Sequence, residues 1–175
     1  MSKTALFYLW KMEIRLASEM DLIRIHDIYN QAVRQGFCTA HLAPLSLNES
    51  KRWFRTHDPA TFPVFVAVSG NGVEGWVSLG PYRQDRQALA HVAEVSYYVD
   101  EKSRAKGLGN SLLKHALRGA PQFGFSVLIA ILLSKNPASI SLLNKHGFSC
   151  WGTMPGIARI GDQTSDHLYY GLKLS

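Results

Sequence analysis

Arg104-Ala105-Lys106-Gly107-Leu108-Gly109-Asn110-Ser111 is the stretch that decides the fold. It follows an apolar strand pattern over 91–99. It opens a helix predicted over 106–117, with Leu112, Leu113, Ala116 and Leu117 on the inner face. Gly107 and Gly109 carry no Cβ, so a ligand can come close to the backbone. The first turn of a helix has unpaired N–H groups and a partial positive charge. A pyrophosphate fits there, and Arg104 and Lys106 add charge nearby. A helix start that uses its glycines only for tight packing is the plain alternative. A Rossmann turn wants G-x-G-x-x-G and an acid about twenty residues on. A Walker loop wants G-x-x-x-x-G-K-[ST]. Neither pattern is present.

Upstream of the loop, Met12 to Leu16 reads as a first strand. Ser18 to Asp21 resembles a capping box before Leu22, Ile25, Ile28, Tyr29 and Ala32 at helical spacing, with Gly36 as the stop. Ser46 to Glu49 is a second capping box for a helix reaching about His57. Phe62 to Val68 and Val73 to Leu79 read as strands joined at Ser69-Gly70-Asn71-Gly72. Gly80-Pro81 is expected to break the second of them, ahead of a polar loop from Tyr82 to Ala90. Downstream, Phe125 to Leu132 is apolar almost throughout, the mark of a strand buried on both faces. Pro137 to His146 reads as a helix closed by Gly147. Phe148 to Thr153 and His167 to Leu174 read as the last strands. Early hairpins followed by β-α-β units predict a mixed sheet with helices on it. Such a sheet can open a cleft where its antiparallel and parallel halves part.

The loop and its context resemble the GNAT family of N-acetyltransferases. The family's acyl-CoA loop, [RQ]-x-x-G-x-[GA], stands here as Arg104-x-x-Gly107-x-Gly109 after a strand ending Tyr97-Tyr98-Val99. Asn136 to Leu142, followed by Lys145-His146-Gly147-Phe148, resembles the family's second signature helix. Within the family, Asp27 to Asn30, Phe37-x-Thr39-Ala40, Gly75-x-x-x-x-Gly80-Pro81-Tyr82-Arg83 and Ala93 to Val99 are similar to the phosphinothricin acetyltransferase-like branch. Members of that branch acetylate small amino-acid analogues.

The resemblance implies an α/β (α+β) GNAT fold. Its mixed central sheet has about seven strands, with helices on both faces and a splayed cleft between strands 4 and 5. It implies a single domain over residues 12–175 after an N-terminal extension at 1–11. It implies an enzyme using acetyl-CoA, with Glu94 as general base for the acceptor amine. The cofactor would be held by Tyr97, Tyr98, Val99, Arg104, Ala105, Lys106, Gly107, Leu108, Gly109, Asn110, Asn136 and Lys145. Asn30, Phe37, Tyr82, Arg83 and His91 would meet the acceptor. The branch has a histidine where this chain has Leu143, so the group that protonates the leaving thiolate is open. The aromatic residue usual before the Val-Glu stretch is replaced by His91, and only Asp166 survives of a Trp-x-Asp. Three alternatives stay open: a non-catalytic acyl-CoA-binding module, an enzyme for protein N-termini or lysines, and a nucleotide-binding protein of another fold. Homodimerisation is implied by resemblance alone.

Composition sets outer limits. The chain has 175 residues, 46% of them hydrophobic, which suits one core. A formal charge of +6, scattered rather than clustered, suits a solvated face or an anionic ligand and gives no nucleic-acid platform. Cys38 and Cys150 match no metal-ligand spacing, and the seven histidines are dispersed, so no metal is expected. Few thiols and no stretch long enough for a membrane span lead to a cytoplasmic expectation. The apolar run Ala5 to Trp10 is short for a signal-peptide core.

Overall fold

Alternation along the apolar runs builds the sheet. In the computed structural model, which describes residues 12–174, the strands are β1 (Glu13–Leu16), β2 (Val64–Ser69), β3 (Gly72–Pro81), β4 (Val92–Val99), β5 (Val127–Leu133), β6 (Ser149–Ile160) and β7 (Gln163–Lys173). They form one sheet in the order β1-β2-β3-β4-β5-β7-β6. The expected extension at 1–11 lies outside the described residues. All neighbours run antiparallel except β4 and β5. That parallel pair meets only at Val92↔Val127, Ala93↔Leu128 and Glu94↔Ile129. Past Glu94 the two strands part, as the resemblance implied.

Helices cover both faces. The helices are α1 (Leu22–Gln35), α2 (Leu47–Arg55), α3 (Leu108–Gly119) and α4 (Pro137–Lys145). Phe65, Ala67, Val77, Leu79, Ala93, Val95, Leu128 and Ala130 share one face and pack with Leu112, Leu113 and Ala116 of α3 and Leu143 of α4. Val64, Val66, Val73 and Trp76 point the other way, onto Ile25 and Ile28 of α1, with Trp53 and Phe54 of α2 against them. Period two in the strands and the 3.6 period in the helices therefore sort the chain into two cores. Both capping boxes form. Ser46 Oγ accepts from the Glu49 N–H while Glu49 accepts from the Ser46 N–H.

Several boundaries differ from expectation, β7 beginning at Gln163 rather than His167 among them, and three have a clear local cause. The helix α3 begins at Leu108 rather than 106, because Ala105 (φ 59°) and Gly107 (φ 81°) are left-handed and cannot be helical. The strand β3 runs through Gly80 and Pro81, which pair with Glu94 and Ala93. Pro81 is tolerated because the β2–β3 ladder ends at Val64↔Ser78, so that side of β3 is an unpaired edge by then. The strand β6 continues to Ile160 because a register shift between Met154 and Ala158 absorbs Pro155 and Gly156. Asp166 Oδ1 accepts the Gly156 N–H at 2.8 Å and holds that bulge.

One glycine sets the height of α3 above the sheet. A Cβ on Gly75 would lie 3.0 Å from Leu112 Cδ1 and 3.0 Å from the Tyr98 carbonyl oxygen. Gly75→Ala therefore forces α3 or the β3–β4 ladder to shift. It is expected to destabilise the protein by about 1–3 kcal/mol in urea titration. An unchanged midpoint would show that α3 can rise without cost.

Candidate active site

The parting of β4 from β5 leaves backbone on the β5 side of β4 with no partner strand beyond Glu94 among the described residues. Alternation puts Glu94, Ser96 and Tyr98 on the α1/α2 face. There they line a cavity of about 580 Å³. Ile131, Leu133 and His167 close it from the sheet, His26, Tyr29 and Trp53 from the helices, and Cys38 to His41 from the connecting loop. Aromatic rings form much of the wall. Trp53 and Trp76 centroids lie 5.2 Å apart, Trp76 and Tyr98 4.8 Å, and Tyr29 and Tyr98 5.0 Å.

Within that wall Glu94 is partly buried and stands alone. Burial pushes its carboxyl up from the ordinary value, and no neighbouring charge or hydrogen bond among the described residues opposes the shift. Burial likewise pushes up the hydroxyls of Tyr98 and Tyr29, although Thr39 shares a 2.8 Å hydrogen bond with Tyr29. His41 Nδ1 also meets the Tyr29 hydroxyl. The loop after α1 is thus tied to the cavity through Tyr29.

On the opposite face the start of α3 presents free backbone donors. Ser111 N–H is the first to close a helical bond, to Gly107 O at 3.1 Å. The amides of Leu108, Gly109 and Asn110 have no backbone partner among the described residues. Side chains fix the turn that precedes them. Asp100 is buried and accepts from Arg24 Nη2 (2.8 Å), Gln31 Nε2 (3.1 Å) and the Lys102 N–H (2.9 Å). Burial raises its carboxyl, and those hydrogen bonds outweigh burial, leaving it below its ordinary value. Ser103 Oγ donates to Glu74 Oε2 at 2.7 Å. Arg104 donates to Val99 O at 3.2 Å and to Gln35 Oε1. Its guanidinium therefore clamps the end of β4 to α1. Lys106 Nζ caps the Lys102 carbonyl at 2.8 Å.

The remaining residues expected at the site scatter. Tyr97 faces α4, where its hydroxyl meets Ser139 Oγ at 2.6 Å, and burial pushes it up to about 12. Asn136 caps α4 through its Oδ1, which accepts the Ser139 N–H. Lys145 is exposed at the last turn of α4. Leu143 is fully buried in the core beneath α4, and His146 pairs with Asn110 Oδ1 at 3.1 Å. Asn30 is buried and bonds both backbone groups of Leu45, so it holds the loop. Phe37 lies under Lys135 Nζ, 5.0 Å from its ring centroid. His91 is exposed, and its carbonyl accepts from Ser126 and Val127. Tyr82 and Arg83 line a neighbouring depression of about 460 Å³ that shares Ile131 with the main cavity. Ser96 and His167 lie outside the set that sequence reading singles out. Ser96 is legible from alternation with Glu94, whereas His167 needs the β5–β7 pairing to bring it in.

A sheet split next to a lone, partly buried carboxylate, with an open helix start on the other face, defines the class. Residues 23–148 match the acetyltransferase (GNAT) family, and the chain belongs to it. It is 38% identical over 165 residues to YwnH of Bacillus subtilis (strain 168), a candidate phosphinothricin acetyltransferase; the match spans 94% of this chain and all of the relative. It is 35% identical over 147 residues to the L-methionine sulfoximine/L-methionine sulfone acetyltransferase of Pseudomonas aeruginosa, covering 83% of this chain and 85% of that one. A phosphinothricin acetyltransferase from Sinorhizobium meliloti, solved in complex with AcCoA, superposes with a TM-score of 0.87 at 28% identity, covering 94% of this chain and 89% of that one.

The isolation of Glu94 has a consequence for stability. A carboxyl whose folded value lies above its unfolded one, about 4.3, binds more protons folded than unfolded in between. Stability then falls as pH rises through that window. Glu94→Gln removes the cost. The variant is expected to exceed wild type in urea midpoint at pH 7, with the difference vanishing below about pH 4. Equal midpoints at both pH values would show that Glu94 is well solvated.

Proposed function

We propose that the chain transfers an acetyl group from acetyl-CoA to the primary amine of a small amino acid or amino-acid analogue, with Glu94 as general base. The observation that carries this reading is the parting of β4 from β5 beside a partly buried, unpartnered carboxylate. The residues present suit acetyl-CoA. The free amides of Leu108, Gly109 and Asn110 and the left-handed Ala105 and Gly107 form a backbone cradle for a pyrophosphate. The unpaired edge of β4 from Tyr97 to Val99 can bond an extended pantetheine arm as a further strand would. When bound, acetyl-CoA supplies a thioester carbonyl open to attack by an amine.

Protein groups do the rest. An ammonium cannot attack until it loses a proton, and Glu94 is the carboxylate in the cavity wall raised toward the range where it accepts one. The apolar rings of Trp53, Trp76 and Tyr98 share that wall and lower the polarity around the carboxylate. Arg83 beside Tyr82 offers the fork that holds an α-carboxylate by two parallel hydrogen bonds. Exposed Trp151, Met154 and Ile157 along the edge strand β6 support a homodimer. A cytoplasmic setting completes the reading.

The test follows thiol release from acetyl-CoA with a chromogenic reagent, over a panel of amino acids and analogues. Wild type is expected to release thiol only when an amine is present. Glu94→Gln is expected to lower kcat at least about tenfold, or 1.4 kcal/mol of barrier. Thiol release that ignores the amine, or a variant as fast as wild type, would overturn the assigned base.

The clamp at Asp100 makes a separate statement. Asp100→Asn weakens a charged hydrogen-bond network that shapes the cradle. It is expected to raise KM for acetyl-CoA at least about threefold while KM for the amine stays put. Parallel changes in both constants would show a general loss of structure instead.

A further inference from the structure

The end of α4 lies against the first turn of α3. Ser139, Leu142 and His146 fall three and four residues apart, so they share one side of α4 and its cap. Ser139 meets Tyr97 of β4. A Cβ on Gly109 would stand 3.3 Å from Leu142 Cδ2, so the two helices touch at that glycine. One turn further along, His146 Nε2 lies 3.1 Å from Asn110 Oδ1. Asn110 is among the residues whose backbone N–H is free at the start of α3. Both His146 and Asn110 are partly exposed. With Asn110 Oδ1 accepting, Nε2 carries the hydrogen. Nδ1 has no hydrogen-bond partner among the described residues and is the nitrogen left to take a second proton.

We propose that His146 is a further cofactor-binding residue, which takes a proton from solvent as the pyrophosphate of acetyl-CoA settles on the amides of Leu108, Gly109 and Asn110. The proposal rests on the acetyl-CoA reading of that cradle and is independent of Glu94 and of the acceptor. In the free protein the surroundings of His146 oppose its charge. Burial pushes the imidazole down from its ordinary value, and the ammonium groups of Lys145 on α4 and Lys114 on α3 push the same way. The last carbonyls of α4 favour a cation at its end without reversing that balance. No carboxylate among the described residues contributes. A bound pyrophosphate changes the sign of the local field. An anion on the Asn110 amide stands beside the ring that bonds the Asn110 side chain, and attraction between opposite charges favours the protonated imidazole. Imidazole is the side chain whose charge changes near neutral pH, so His146 is placed to answer the ligand with a proton.

Linkage fixes the direction of the effect. A ring that holds its proton more tightly in the complex than in the free protein gains one on binding at any pH between its two midpoints. Affinity is therefore highest below the free-state midpoint, falls as pH rises across the window, and levels off above the bound-state midpoint. The free-state midpoint lies below the ordinary histidine value, about 6.5, so the window opens on the acid side of neutrality.

The experiment titrates the full chain with no amine present. Dephospho-CoA is the probe, because it keeps the pyrophosphate and lacks the 3′-phosphate, whose own titration near about pH 6 would enter the proton count. The His146 ring is followed by NMR through its assigned Hε1 resonance. Affinity and proton uptake are followed by calorimetry in buffers of different ionisation heat, at about pH 5.5 and about pH 8. In wild type, binding is expected to raise the His146 midpoint by at least about 0.5 pH and to take up protons in that window. The affinity is expected to be at least about threefold higher at the lower pH. His146→Gln keeps a donor for Asn110 and removes the titrating ring. It is expected to lose the proton uptake and most of the affinity ratio. Binding of dephospho-CoA with the wild-type midpoint unmoved would overturn the proposal and leave the acetyltransferase reading intact. Binding of acetyl-CoA but not of dephospho-CoA would make the 3′-phosphate the anchor and would overturn the proposal as well. Failure to bind either would overturn the cofactor reading and this proposal with it.

Discussion

Three residue pairs join the two halves of this sheet. The strand β4 follows β3 through seven consecutive pairs, Gly75↔Val99 to Pro81↔Ala93, and β5 follows β7 through seven more. Between β4 and β5 only Val92, Ala93 and Glu94 find partners. Each strand is held by its outer neighbour, so right-handed twist can carry the two halves apart without breaking either ladder. The opening that results is structural in origin. It exposes strand backbone on one side and places Glu94 at the last pair before the gap.

What surrounds the gap differs by face. On the α3/α4 face Tyr97 reaches Ser139 and pins the first turn of α4 against β4. On the α1/α2 face Glu94, Ser96 and Tyr98 open instead onto the aromatic cavity. The turn before α3 is bound to α1 by Asp100, Arg24 and Gln31, and to β3 by Ser103 and Glu74. This bracing explains how Ala105 keeps a positive φ that an alanine rarely adopts. Local strain of that kind persists only where the neighbours over-determine the backbone.

Much of the fold is legible in the sequence because local and global signals agree. Ser46 and Glu49 announce a helix start that forms as read. The apolar run after Phe125 is the central strand β5, most of whose residues are buried. The site is less legible, because pairing and long loops assemble it. Thr39 and Ala40 reach the cavity only because Asn30, buried in α1, holds Leu45 by two hydrogen bonds and folds the loop back. No spacing rule predicts that role for Asn30. Arg104 reads as cofactor charge, and the structure adds a tie that no spacing announces, from Val99 to Gln35. Leu143 stands where the phosphinothricin acetyltransferase-like branch has a histidine, and its setting explains its apolar character: it is fully buried against the sheet.

The local costs of the structure concentrate around the gap. Glu94 is partly buried with no partner, Trp76 has an indole N–H without an acceptor, and Ala105 sits in a left-handed conformation. Each breaks a rule that the surrounding structure obeys, since buried Asp21, Asn30 and Asp100 are all hydrogen-bonded. Selection for stability alone would favour Glu94→Gln, Trp76→Phe or Ala105→Gly. Their placement separates two demands. Ala105 shapes the cradle at the start of α3, while Glu94 and Trp76 belong to the cavity on the opposite face. The gap in the sheet lies between the first and the second, so the three departures cluster where the two halves of the sheet separate.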